Sequence, residues 1–261
     1  MLLKTIQLES KNQVTIIQIN RPEAMNTLSL TFVKELNLAL EEIERRDDVR
    51  VVVLTGSGRA FCAGADLKET QGQTETGWYL RKITAAVHQA IGTMKAMPQP
   101  VITAINGVAA GGGFGLALSG DLVIASEAAR FTTAFAKLGL SPDCSTTYHL
   151  VRLVGEKKAF ELTAFSPILS AQEALDLGLI NKVVPEAEFE DAVNEWASTL
   201  ASGSPLGLKR SKELIQQSHE NSLHAQLELE SLNIVKGGQT KDFQEGVSAF
   251  LEKRSPKFEG K

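Results

Sequence analysis

Residues 101–125 read VITAINGVAAGGGFGLALSGDLVIA. Two apolar, largely β-branched runs, 101–105 and 122–125, flank a segment that carries three consecutive glycines, Gly111, Gly112 and Gly113. Apolar runs without polar interruption suit strands covered on both faces. Between them the glycines open a short helix, because a backbone without Cβ atoms can turn sharply out of a strand. Strand, helix and strand at this spacing form the unit of a parallel sheet with crossover connections, which places the chain in the α/β class.

The same pattern extends outward. Residues 51–54 (VVVL) form another buried strand, and residues 3–8 and 14–20 read as two strands joined at the turn-like Lys11-Asn12 and closed by Arg21-Pro22. Val33, Leu36, Leu40 and Ile43 fall on one helical stripe, with Glu41, Glu42 and Arg45 opposite. A helix over 78–96 is broken by Met97-Pro98-Gln99-Pro100. Residues 68–78 carry no clear period, and no internal repeat of the solenoid kind is visible. Beyond about Leu169 the pattern turns helical, over 186–200, 205–217, 223–235 and 243–254, with a boundary at Ser202-Gly203-Ser204-Pro205. The expected organisation is an α/β core over 1–200 and a helical lobe over 201–261.

Composition narrows the function. A chain of 261 residues with 43% hydrophobic content buries one sizeable core. The net charge of −4, with Lys and Arg scattered, argues against a nucleic-acid or anionic-membrane surface. The two cysteines, Cys62 and Cys144, lack metal-ligand spacing, and His149, His219 and His224 offer no three-ligand zinc pattern, so no metal is expected. No apolar run reaches the ~20 residues of a membrane span. With no secretory leader evident, the reading is a cytoplasmic protein.

Three segments carry chemistry. The glycine run at a helix start presents N–H groups that lack intrahelical partners, a place for a phosphate or a developing oxyanion. Close helix–strand packing accounts for the same glycines, and neither a phosphate-loop lysine nor a dinucleotide G-x-G-x-x-G is present. A second loop, GRAFCAGADLKE (58–69), brings small residues over 63–67 to a strand end. Two backbone donors from two loops, aimed at one carbonyl oxygen, make an oxyanion hole. The third is GLSPDCSTTYHL (139–150), where Asp143 reads as the N-cap of a following helix or as a carboxylate with chemistry to do.

FCAGADL, NGVAAGGGFGLALSGDLVIA and GLSPDCSTTYHLVRLVG together resemble the crotonase (enoyl-CoA hydratase/isomerase) superfamily, over nearly the whole chain. Within it the GLSPDC stretch and the C-terminal tail are most similar to isomerases of 1,2-epoxyphenylacetyl-CoA and enoyl-CoA. The resemblance implies a ββα superhelix core, a helical C-terminal trimerisation lobe, and a homotrimer or dimer of trimers. It implies an acyl-CoA thioester substrate whose carbonyl sits between the N–H groups of Ala65 and Gly112. No separate cofactor follows, since CoA is part of the substrate. Ala24, Ala63, Asp66 and Leu67 would line the CoA, and Phe250 with Lys253 would reach a neighbouring subunit's CoA. Glu23 stands where hydratases often carry a basic residue.

The resemblance also implies which chemistry is missing. The two glutamates of the reference hydratases fall on Gly115 and Phe135. Asp143 matches the acid/base of the isomerase subgroup, with Phe135 and Leu140 as apolar neighbours that would favour its protonated form and exclude water. One carboxylate and an oxyanion hole suit the shift of a double bond from 3-enoyl-CoA to 2-enoyl-CoA, or opening of the ring epoxide of phenylacetyl-CoA. A hydratase, an aryl-CoA dehalogenase with Asp143 as nucleophile and His88 as base, and a non-catalytic acyl-CoA-binding subunit are the alternatives. A lone helical histidine such as His88 otherwise reads as structural, and Glu69 and Asp121 read as ion-paired carboxylates.

Overall fold

The computed structural model describes residues 3–261. Strands β1 (Ile6–Lys11) and β2 (Val14–Ile19) pair antiparallel around Asn12 and Gln13, both at positive φ, as a two-residue hairpin loop of matching twist requires. Helix α1 (Leu30–Glu44) starts at Ser29, whose hydroxyl accepts from the Phe32 N–H, and all four residues of the expected stripe are buried.

Three turns of one motif follow, each a longer strand, a short strand and then helix. The first comprises β3 (Val51–Gly56), β4 (Ala60–Cys62) and the helices α2 (Leu67–Gln71) and α3 (Thr76–Ala96). The second is β5 (Val101–Ile105), β6 (Val108–Ala110) and α4 (Gly112–Leu118). The third is β7 (Leu122–Ser126), β8 (Arg130–Thr132) and α5 (Thr146–Phe165). The longer strands join one sheet and the short strands another. The first sheet runs β1-β2-β3-β5-β7-β10 and is parallel beyond the hairpin, with β10 at Lys182–Val184. The second runs β4-β6-β8-β9, with β9 (Leu169–Ser170) antiparallel to β8. This is the ββα superhelix. Its repeat is structural and leaves no repeat in the sequence, because each unit fills a different core environment.

Strand β3 shows why its residues are apolar throughout. Val52 and Leu54 face the main core with α1 and α3, while Val51 and Val53 pack against Ala192, Val193, Ala197 and Ala201 of α7 (Phe189–Ser202). Both faces of the strand are covered, so alternation is absent. In the second sheet, Phe61 and Phe131 meet Phe114 of α4 in the main core, the last two edge to face at 6.4 Å.

After α6 (Ala171–Asp176), α7, α8 (Pro205–Gln217), α9 (Leu223–Gly238) and α10 (Lys241–Glu252) complete the chain. Lys212 of α8 is tied into the α/β part. Its buried ammonium meets Asp121 at 2.8 Å and donates to the carbonyls of Met94 and Gln99. Among the described residues no helix is long and apolar enough to cross a membrane.

Candidate active site

Each turn of the superhelix places a loop at one cavity of about 600 Å³. Residues 63–65 arrive from β4, Gly111 and Gly112 from β6, and Ala134 and Phe135 from β8, while Leu80, Ile83 and Thr84 of α3 form a wall. Residues 140–143 complete the lining with Cys144. Among the described residues Asp143 is the only carboxylate in the lining.

Among the described residues, two that line this space, Ala65 and Gly112, have backbone N–H groups without partners. Leu28 pairs with the chain on either side of Ala65, donating to the Gly64 carbonyl at 2.7 Å and accepting from the Asp66 N–H at 3.1 Å. A parallel bridge of this form turns the Ala65 N–H away from Leu28. Gly112 is the first residue of α4, so its N–H has no intrahelical acceptor. Among the described residues neither N–H donates a hydrogen bond. Gly112 is also pinched between neighbours: a Cβ there would lie 2.7 Å from Leu28 Cδ1 and 2.9 Å from Cys144 Sγ.

The side chain of Asp143 does not cap α5, contrary to the sequence reading. Cys144 (φ 53°) and Ser145 (φ 60°) adopt the left-handed region in succession, and Ser145 takes the N-cap position without a capping side-chain bond. Two such non-glycine residues cost about 1–3 kcal/mol each and turn Asp143 away from the helix. Its carboxylate spans to α3. Thr84 Oγ1 donates to Oδ2 at 2.8 Å, and His88 Nε2 lies 2.7 Å from Oδ1. Thr84 and His88 are four residues apart and therefore share a helix face. His88 is thus bonded to the candidate carboxylate rather than being an isolated structural histidine. Thr84 escaped the sequence reading. Its signal was a pair of polar residues at i and i+4 beside the buried stripe of Tyr79, Ile83, Val87 and Met94.

Position 115 has no room for a side chain. A Cβ on Gly115 would overlap the Cys144 carbonyl oxygen and lie 2.8 Å from Thr146 Oγ1. The strained turn after Asp143 therefore fills the volume that a carboxylate at 115 would need. Phe135 lines the cavity as an aromatic wall.

The remaining candidates separate. Ala63, Leu67, Phe135 and Leu140 line the cavity with Ala65, Gly112 and Asp143. Ala24 closes a 3-10 turn at Pro22–Ala24 outside the lining. Asp66 is occupied structurally: it caps α2 through the Glu69 N–H and pairs with Arg21 at 2.9 Å. Burial raises its pKa, but these bonds together with Thr27 outweigh that and hold the carboxyl below its ordinary value. Phe250 is exposed and lines a separate cavity among the C-terminal helices, while Lys253 ends α10. Within one chain neither reaches the Asp143 cavity. Cys62 and Cys144 are free and buried, and burial pushes the Cys62 thiol up to about 12, leaving it inert as a nucleophile.

The family model for enoyl-CoA hydratase/isomerase matches residues 9–261. The chain belongs to this family. Among its members, the 1,2-epoxyphenylacetyl-CoA isomerase of Escherichia coli (strain K12) is 40% identical over 253 residues, covering 95% of each chain. The short-chain-enoyl-CoA hydratase of Clostridium acetobutylicum is 36% identical over 259 residues, covering 99% of this chain and 98% of that protein. The crystal structure of an enoyl-CoA hydratase from Bacillus anthracis superposes with a TM-score of 0.95 at 38% identity, over 99% of this chain and all of the other. The chain is therefore an enzyme of the enoyl-CoA hydratase/isomerase family, built on the crotonase fold, and both reactions occur among its relatives.

Proposed function

We propose that the protein is an acyl-CoA isomerase in which Asp143 carries the proton and the N–H groups of Ala65 and Gly112 hold the thioester oxygen. The observation that carries this reading is that, among the described residues, one carboxylate lines a cavity that is also lined by two residues whose backbone N–H groups lack partners. Asp143 removes a proton from C2 of a 3-enoyl-CoA, and the electron pair of that C–H bond moves into the thioester to give a dienolate. The two donors stabilise its oxygen, each worth about 2.7–4 kcal/mol. Return of the proton to C4 forms the new C–H bond and leaves the double bond at C2–C3. The ring epoxide of phenylacetyl-CoA is the second substrate this arrangement suits, its ring opening assisted by the same polarised thioester.

Hydration with two carboxylates is disfavoured, because the Cys144 carbonyl closes position 115. The contact between His88 and Asp143 favours one other reading, a nucleophilic carboxylate with a histidine base acting on a haloaryl-CoA. We take the exposed apolar residues Leu232, Ile234 and Val235 on α9, and Phe250 and Leu251 on α10, as part of a trimerisation surface within a C-terminal lobe over residues 201–261. There Phe250 and Lys253 would meet a neighbouring subunit's CoA.

Asp143→Asn tests the assignment. The amide keeps the size of the carboxylate and can still bond Thr84 and His88, so the fold persists. Isomerisation of 3-enoyl-CoA is expected to fall by about 10²–10⁴-fold. Full activity in this variant refutes the role of Asp143, while halide release from a haloaryl-CoA by the wild type, in place of isomerisation and lost in the variant, would establish the dehalogenase reading.

A further inference from the structure

Asp143 stands at the wall between two cavities. On its far side a second cavity of about 510 Å³ lies between α3, α5 and α8, lined by His88, Lys95, Ser145, His149, Arg152 and Gln216 among others. The two linings share no residue. What joins them is the 2.7 Å hydrogen bond between Asp143 Oδ1 and His88 Nε2. The His88 side chain is 52% exposed, against 30% for Asp143, so the imidazole has access to water that the carboxylate has less of.

We propose that His88 is a proton exit for Asp143, so that hydrogen taken from C2 exchanges with solvent instead of passing undiluted to C4. This rests on the reading of Asp143 as the proton carrier. The carboxylic proton moves along the hydrogen bond to Nε2 as Nδ1 releases its proton to water, which regenerates the carboxylate and a neutral imidazole. The hydrogen now on Nε2 exchanges with water when the half-exposed ring swings off Oδ1, and the relay then runs in reverse to return a solvent hydrogen to the carboxylate, with no change in oxidation state. Thr84 is a positioning residue here: it holds the other carboxylate oxygen and has no second ionisable nitrogen to relay through.

The test uses the full chain and two probes. In D2O, phenylacetyl-CoA reports exchange at C2 with no double bond to move, read by mass spectrometry. In ordinary water, 3-enoyl-CoA deuterated at C2 reports the share of label that reaches C4. Wild type is expected to exchange the first probe and to dilute the label of the second. His88→Gln keeps a hydrogen bond to Asp143 but removes the two-nitrogen path. It is expected to slow exchange by about 100-fold, the lower end of what a positioned proton carrier contributes, and to raise label transfer to C4. Thr84→Val is expected to lower rates while leaving the share of transferred label unchanged. Equal exchange in wild type and His88→Gln, or undiluted transfer by wild type, overturns the relay and leaves the isomerase reading intact. Exchange of phenylacetyl-CoA without isomerisation of 3-enoyl-CoA supports the relay and removes the isomerase reading. Neither reaction in wild type removes both.

Discussion

Gly115→Ala is the smallest change that tests why this site holds one carboxylate. The added Cβ overlaps the Cys144 carbonyl oxygen, and real Cβ atoms do not approach closer than 3.0 Å, so the gap must open by about 1 Å. The obstacle is backbone on one side and Thr146 Oγ1 on the other, and neither is the far end of a flexible side chain. Overpacking of this kind costs about 1–3 kcal/mol, and a rigid wall places the expectation at about 3 kcal/mol. The displaced residue follows Asp143 directly and is one of two consecutive left-handed residues, so the carboxylate moves with it. A misplacement of about 1 Å lowers catalysis by about 100-fold. Urea unfolding followed by far-UV circular dichroism reads the first effect, and 3-enoyl-CoA turnover reads the second. Gly92→Ala is the control: it lies inside α3 with nothing within 4 Å of the new Cβ, and is expected to gain about 0.5–1 kcal/mol. A Gly115→Ala protein as stable and active as wild type refutes the steric argument.

Two further outcomes follow from buried charge. Lys212→Met removes the partner of Asp121 and strands the Met94 and Gln99 carbonyls; with Lys95 still 3.7 Å from Asp121, the expected loss is about 3 kcal/mol, and a loss below about 1 kcal/mol in urea titration contradicts it. Burial, reinforced by Lys95 and Arg152, lowers the pKa of His149 from 6.5 to about 4. The unfolded chain therefore takes up this proton first as pH falls from 6.5 towards 4, and stability is lost across that window. Between pH 7 and pH 5 the loss from this residue is about 2 kcal/mol, and His149→Gln should remove that amount from the pH dependence of the unfolding free energy read by urea titration.

The long strands were legible because burial on both faces writes itself as an apolar run, as at residues 51–54 and 101–105. The α1 stripe was legible because one face of a helix recurs every 3.6 residues. Strands β4, β6, β8 and β9 span two or three residues each, too few for any period, so the second sheet was hidden until its partners came together. Two of the loops that line the cavity, at 63–65 and 111–112, were visible as small-residue or glycine segments, whereas the loop after β8 at 134–135 was not. The direction in which Asp143 points was not, because residue types at 143–147 favour an N-cap and only the successive positive φ angles of Cys144 and Ser145 redirect it. Helix α2 lay in a stretch without pattern, and its cap, Asp66, was read as a CoA contact because its ion pair with Arg21 spans 45 residues.

The two unpartnered N–H groups at Ala65 and Gly112 belong to the main chain. No point substitution deletes them, short of proline, and their aim is set by the strand and helix ends that carry them. Side chains in the same lining, at 84, 135 and 143, are free to vary without touching that hardware. On the proposed reading of these two groups, such a scaffold can drift between reactions while keeping its hold on a carbonyl oxygen, which makes new activities reachable by few mutations.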